Sequence, residues 1–195
     1  MIDHSHCPER TDVELVGMSL ENSDHFLCLS KRYEDKLLRY IIRISKFSRE
    51  DAEDVLQEVF IKTYFNLNGF DKELQFSSWI YRIAHNEAVS AIRKKVVRPS
   101  IALEVEDLVK FGDSFDMTKE MDNILDRKMI DEALSKLDEK YREVLVLRFL
   151  DEKDYTEIAD ILKKPVSTVG NLILRGKKLF KEEYELLINK NVELK

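Results

Sequence analysis

Glycine, proline and cysteine are all scarce in this chain. Its 195 residues include five Gly, three Pro and two Cys. With so few glycines there is no phosphate-cradling loop, and neither a Walker nor a dinucleotide-binding pattern is found. No paired metal-ligand spacing and no nucleophile elbow is present, so neither an enzyme nor a cofactor is expected. Cys7 and Cys28 are too few and too far apart for a disulfide framework, which points to a reducing cytosol. His4, His6 and Cys7 would put three ligands on an aperiodic tail, which is no basis for a metal site. No apolar run is long enough to span a bilayer, and the polar start MIDHSHCPER is no signal peptide. The expected location is cytoplasmic.

Charge, by contrast, is abundant. Asp, Glu, Lys and Arg make up 36% of the residues, which suits a soluble, mostly helical protein. The length allows one large domain or two small ones, each with a modest core. The net charge of −6 is unevenly spread. Lys72, Arg82, Arg93, Lys94, Lys95 and Arg98 face only Asp71, Glu73 and Glu87 over residues 71–98. Residues 99–126 reverse the sign, with acids from Glu104 to Asp126 against Lys110 and Lys119 alone. Lys163, Lys164, Arg175, Lys177, Lys178 and Lys181 then follow with no acid among them. Two basic islands separated by an acidic strip describe a protein that binds free DNA poorly and needs a partner to present it.

The second island lies in DYTEIADILKKPVSTVGNLILRGKKLF, residues 154–180. Asp154, with Glu157 three residues on, is a capping-box pattern opening a first short helix. Ile158, Ala159, Ile161 and Leu162 give it an apolar stripe, and Pro165 ends it. Ser167 or Thr168 can cap a second helix, in which Val169, Ile173, Gly176 and Phe180 form one buried face. Ser167, Gly170, Asn171, Leu174, Lys178 and Lys181 point the other way. A helix-turn-helix exposing small polar groups and cations suits a DNA major groove. An ordinary helical hairpin with a solvated basic face has the same pattern.

Taken in order, residues 1–20 lack periodicity and are expected to fray. A helical pattern runs from about Asn22 to Lys46, with Phe26, Leu29, Tyr33, Leu37, Tyr40, Ile41 and Ile44 on one side. Ser48 is the expected N-cap of the next helix, whose apolar face is Ala52, Val55, Leu56, Val59, Phe60 and Thr63. Asp54, Gln57, Glu58 and Ile61 lie opposite. They form either a protein-docking face, acids steering and an isoleucine anchoring, or a solvated one. Residues 66–75 read as a loop. Ser77 is expected to cap a third helix with Ile80, Ile83, Ala84, Ala88 and Ala91 inside. Trp79, Arg82, Asn86, Val89, Ser90 and Arg93 share another face, followed by Lys94 and Lys95. That face can stack bases and pair phosphates, although a lone Trp is also a packing anchor. Residues 97–121 read as a linker. Two further helices follow, the second opened by Asp138 and supplying Val144, Leu145, Leu147, Phe149 and Leu150 to a core.

Together the two halves resemble the extracytoplasmic-function (ECF) sigma factors of bacterial RNA polymerase. DAEDVLQEVFIK at residues 51–62 and FSSWIYRIAHNEAVSAIRKK at 76–95 resemble the family's second conserved region. LDEKYREVLVLRF at 137–149 and the stretch at 155–180 resemble its fourth. The resemblance implies an all-α protein of two small helical bundles joined by an acidic linker, the second holding the helix-turn-helix. Its domains would be 22–98, a linker at 99–121, and 122–187. Asp51, Asp54, Gln57, Glu58 and Ile61 would dock on the clamp helices of the polymerase largest subunit. The loop with Asn68 and Phe70 would receive a flipped-out base. With it, Trp79, Arg82, Asn86, Arg93, Lys94 and Lys95 would read and melt the −10 element. Ser167, Thr168, Asn171, Leu174, Arg175, Lys177 and Lys178 would meet the −35 element. The partners implied are core polymerase, promoter DNA and an anti-sigma factor.

Against the family pattern, cations are missing at Gly170 and Leu172, and His85, Glu87 and Ser90 replace Arg, an apolar residue and Asp. The function expected is direction of core polymerase to specific promoters. The alternative is a conventional helix-turn-helix regulator that binds DNA without polymerase.

Overall fold

The computed structural model describes residues 7–97 and 124–193. Among the described residues every regular element is helical, and the helices fall into two compact units, one built on the helices up to Val97 and the other on most of the chain beyond it. The linker expected at 99–121 lies outside the described residues, as do His4 and His6. No described helix is long and apolar enough to cross a membrane.

The first unit begins with an element that hydrophobic period did not announce. Instead of fraying, residues 12–21 form α1 (Asp12–Glu21). Thr11 caps it, its hydroxyl accepting the Glu14 amide while the Glu14 carboxylate accepts the Thr11 amide at 2.7 Å. That bond holds the Glu14 carboxyl below its ordinary range. Only Leu15, Val16 and Ser19 of α1 are buried, too few to make a stripe. Long-range bonds from α2 (Phe26–Ser45) complete its anchorage. Arg32 reaches the Asp12 carboxylate at 2.6 Å, the Cys7 carbonyl at 2.6 Å and the Arg10 carbonyl at 2.7 Å. The Tyr33 hydroxyl donates to Asp12, and burial together with that bond pushes its phenol far above its ordinary value. Contrary to the expectation of reduced cysteines, Cys7 and Cys28 are joined by a disulfide, their Cα atoms 5.4 Å apart.

The other helices of this unit follow their periods. In α2, Leu29, Tyr33, Leu37, Tyr40, Ile41 and Ile44 are all buried. Lys46 ends the helix with a left-handed backbone (φ 59°). Ser48 caps α3 (Arg49–Asn66), accepting the Asp51 amide at 3.2 Å. Ala52, Val55, Leu56, Val59 and Thr63 face inward. Phe60 is half-buried, edge-on to Phe26 at 6.5 Å. A short 3₁₀ turn, Leu67–Gly69, leads to α4 (Phe76–Val97). This helix starts one residue before Ser77, so Ser77 lies in the first turn instead of capping it. Phe76, Ile80, Tyr81, Ala84 and Ala88 are buried against α2 and α3, while Ile83 and Ala91 are only half-buried. Each large aliphatic side chain buried in this way contributes about 1.5–3 kcal/mol.

The second unit packs α5 (Ile124–Lys136) and α6 (Glu139–Leu145) against α8 (Val166–Glu193). Asp138 stands at the N-cap position of α6. The chain leaves α6 through a wide turn, Val146–Leu150, closed by the Asp151 amide on the Val146 carbonyl at 3.0 Å. Val144, Leu145 and Leu147 are buried, whereas Phe149 and Leu150 are half-exposed. Asp154 caps α7 (Tyr155–Leu162) with a complete capping box, the Asp154 amide donating to Glu157 at 2.9 Å. Lys163 reverses the chain with φ 52°. α8 then starts at Val166, with the Pro165 carbonyl accepting from Thr168 and Val169. Ser167 and Thr168 therefore sit in its first turn, and neither is the cap.

Candidate functional site

Three surfaces emerge from these helices. The first is the outer face of α3. The inward stripe from Ala52 to Thr63 forces Asp54, Gln57, Glu58 and Ile61 outward, and all four are exposed. Phe65 continues that line four residues beyond Ile61 and is 78% exposed. Its four-residue spacing from Ile61 is the signal in the sequence that places Phe65 on this face. Asp51 lies at the opposite end. It accepts from Lys95 of α4 at 2.7 Å and from the Ser48 hydroxyl at 2.8 Å, and these bonds, Lys95 first, lower its carboxyl below the ordinary range.

The second surface belongs to α4. Asn86, Ser90, Arg93 and Lys94 are exposed along it. Lys95 is engaged by Asp51 and lies 4.7 Å over the Phe47 ring. Arg82 and Val89 are half-buried. Trp79 is half-buried too, packed on Phe70 at 5.3 Å and Phe76 at 5.6 Å. Its role as a packing anchor is therefore realised. Phe70 was expected with Asn68 at the −10 strand. It is 6% exposed, wedged between Phe76 and Trp79, and belongs to the core that seats the loop. Asn68, two residues earlier, is exposed.

The third surface is the polar side of α8. Val169, Ile173 and Phe180 are buried, and a Cβ at Gly176 would lie 3.2–3.4 Å from Leu145. That close approach fixes the rotation of the helix. Ser167, Thr168, Asn171, Leu174, Arg175 and Lys178 are exposed as a result, and Lys177 is half-buried over the Phe149 ring at 5.3 Å. Lys164, in the turn before α8, is drawn back to Glu143 of α6 at 2.8 Å. Among the described residues no group of three His, Cys, Asp or Glu side chains is arranged to hold a metal ion.

Two helical units, one ending in a basic helix with aromatic residues in its first turns and the other in a helix-turn-helix, match known families in the same order. Residues 29–97 match the family Sigma-70 region 2, and residues 127–180 match Sigma-70, region 4. The chain is 34% identical over 176 residues to the ECF RNA polymerase sigma factor SigW of Bacillus subtilis, covering 83% of this chain and 90% of that protein. The chain belongs to the ECF sigma factors. It is also 31% identical over 172 residues to the ECF RNA polymerase sigma-E factor of Escherichia coli, covering 85% of this chain and 89% of that one. Two solved structures share its fold. CnrH, in complex with the cytosolic domain of CnrY, has a TM-score of 0.65 at 22% identity, covering 92% of this chain and 97% of CnrH. The sigma factor RpoE, in complex with the anti-sigma factor NepR from Bartonella quintana, has a TM-score of 0.63 at 22% identity, covering 80% and 94%.

As a sigma factor the protein directs RNA polymerase to promoters and initiates transcription there. The conventional regulator reading is not favoured, because the Sigma-70 region 2 match accounts for the first unit. Two of the three departures in α4 have structural partners. His85 Nδ1 lies 3.3 Å from the Tyr40 hydroxyl, and Glu87 pairs with Lys62 of α3 at 2.7 Å. This sigma factor therefore uses both positions to tie α4 to α2 and α3.

Proposed function

We propose that the outer face of α3 docks this sigma factor on the clamp helices of the polymerase largest subunit. Asp54, Gln57 and Glu58 steer the encounter, and Ile61 anchors it with Asp51 at the edge. The exposed face of α4, Asn86 to Lys94, together with Asn68 in the preceding loop, takes the −10 strand as the duplex opens. Arg82 and Lys95 flank it. The polar side of α8 enters the major groove of the −35 element. The acidic stretch at 99–121 joins the two inside the polymerase, and the chain adds no catalytic group of its own. An anti-sigma factor is its expected antagonist, since the neighbours CnrH and RpoE were captured in complexes, the latter with a named anti-sigma factor.

The observation that best supports this assignment is the separation of duties around α3 and α4. The acids with an apolar anchor sit on one helix, and the amide with cations sits on the next, each exposed on its own face. Substituting Asp54 and Glu58 together by Lys should weaken association with core polymerase by about tenfold or more, roughly 1.4 kcal/mol, with helicity unchanged by circular dichroism. Asn86→Ala and Arg93→Ala should leave that association intact and lower transcription from a closed duplex promoter. A pre-melted bubble should restore much of the Arg93→Ala loss. Normal transcription from the duplex by both α4 variants would remove melting from this surface.

A further inference from the structure

In α8 one side chain on the groove-facing stripe cannot make a hydrogen bond. Leu174 is 72% exposed, more than any other large apolar residue described in the second unit. By the helical period it lies on one line with Ser167, Asn171 and Lys178, opposite the buried Val169, Ile173 and Phe180. The tight approach of Gly176 to Leu145 prevents the helix from rolling to hide it. An exposed leucine elsewhere on a surface needs no explanation. Here it sits between an amide one turn before and cations one turn after, on a stretch without a single acid from Lys163 to Lys181.

We propose that Leu174 is a specificity-determining residue that packs on the 5-methyl group of a thymine in the −35 element. The proposal rests on the assignment of α8 to that element. In the major groove the thymine methyl is the one apolar feature a base edge presents, while the other edges offer donors and acceptors. A leucine against those edges would strip water from polar groups and give nothing back, so it rejects them as well as preferring thymine. Asn171, one turn nearer the N-terminus, carries the amide that can pair with adenine N6 and N7. A neighbouring adenine contact follows from the same stripe. In this arrangement α8 reads an A·T-containing step by an amide and a methyl, and Arg175 and Lys178 hold the phosphates.

The test isolates the methyl group. Holoenzyme reconstituted from the full chain and core polymerase is used to select a promoter from a pool randomised in the −35 region. Each thymine of the selected site is then replaced by deoxyuridine, which removes the methyl and nothing else. One replacement should weaken wild-type binding about fourfold, the worth of one buried carbon. Leu174→Ala should bind the thymine and deoxyuridine promoters equally, with unchanged helicity, because the side chain is exposed and alanine favours the helix. A thymine preference that survives in Leu174→Ala, or a selected site without thymine, overturns the proposal. So does a Leu174→Ala variant that selects the wild-type sequence but loses capture by an anti-sigma protein, which would make Leu174 a protein contact. Asn171→Ala and Lys178→Ala serve as controls for the underlying assignment. If both bind the selected site like wild type, α8 does not contact the −35 element at all, a different failure from that of Leu174 alone.

Discussion

At the scale of single residues, two glycines in α8 show how environment decides the sign of a substitution. Both interrupt a helix and each costs it about 1 kcal/mol relative to alanine. A Cβ at Gly170 would meet the Tyr155 ring at 3.6 and 3.9 Å, ordinary contact distances. A Cβ at Gly176 would meet three Leu145 atoms at 3.2–3.4 Å. Gly170→Ala should therefore stabilise the second unit by about 0.5–1 kcal/mol, while Gly176→Val should destabilise it by about 1–3 kcal/mol through overpacking. Thermal unfolding followed by circular dichroism measures both, and equal shifts would refute the distinction. Gly176 was legible in the sequence as part of a buried face, because that face has a period. The neighbour it touches was not, since Leu145 belongs to another helix. The burial of Phe70 was not legible for the same reason. Its Asn-Gly-rich surroundings signal a loop, and nothing local reveals that Phe76 and Trp79 close over its ring.

Among the elements, α7 depends on its cap. Asp154 accepts from the Thr156 hydroxyl at 2.6 Å and from the Thr156 and Glu157 amides, and these bonds, the hydroxyl first, depress its carboxyl below the ordinary value of 3.8. A depressed carboxyl stabilises the fold above its unfolded value, and that stability is lost as pH falls through the folded one. Asp154→Ala should thus cost about 1 kcal/mol at pH 7, and the difference from wild type should shrink on titration below about pH 4. A difference that stays constant into acid would show that the charge on Asp154 is irrelevant to the cap. This cap was visible in the sequence because a capping box spans only four residues. α1 also carries one, Thr11 with Glu14, yet its helix was missed. Its apolar residues are too few for a stripe, and its remaining support arrives from Arg32, Tyr33 and Cys28 on α2.

For the whole molecule the governing quantity is charge. A net −6 repels the phosphate backbone, and of the cations in the two basic islands Lys95 and Lys164 are already paired, with Asp51 and Glu143. The isolated chain should shift duplex promoter DNA only weakly at physiological salt, while the same chain with core polymerase binds tightly and specifically. An electrophoretic comparison with and without core measures this, and tight specific binding by the chain alone would contradict it. The sequence by itself determined the all-α class, most helix faces, the Asp154 capping box and the order of the two regions. Those features arise from interactions over at most four residues or from a repeating period, and a linear string records both. Only the tertiary structure decided the anchoring of α1, the pairing of Cys7 with Cys28, the burial of Phe70, the Lys95–Asp51 bridge and the packing of Gly176 on Leu145. Each of these depends on which helix faces meet, and contacts between distant segments leave no period in the sequence to read.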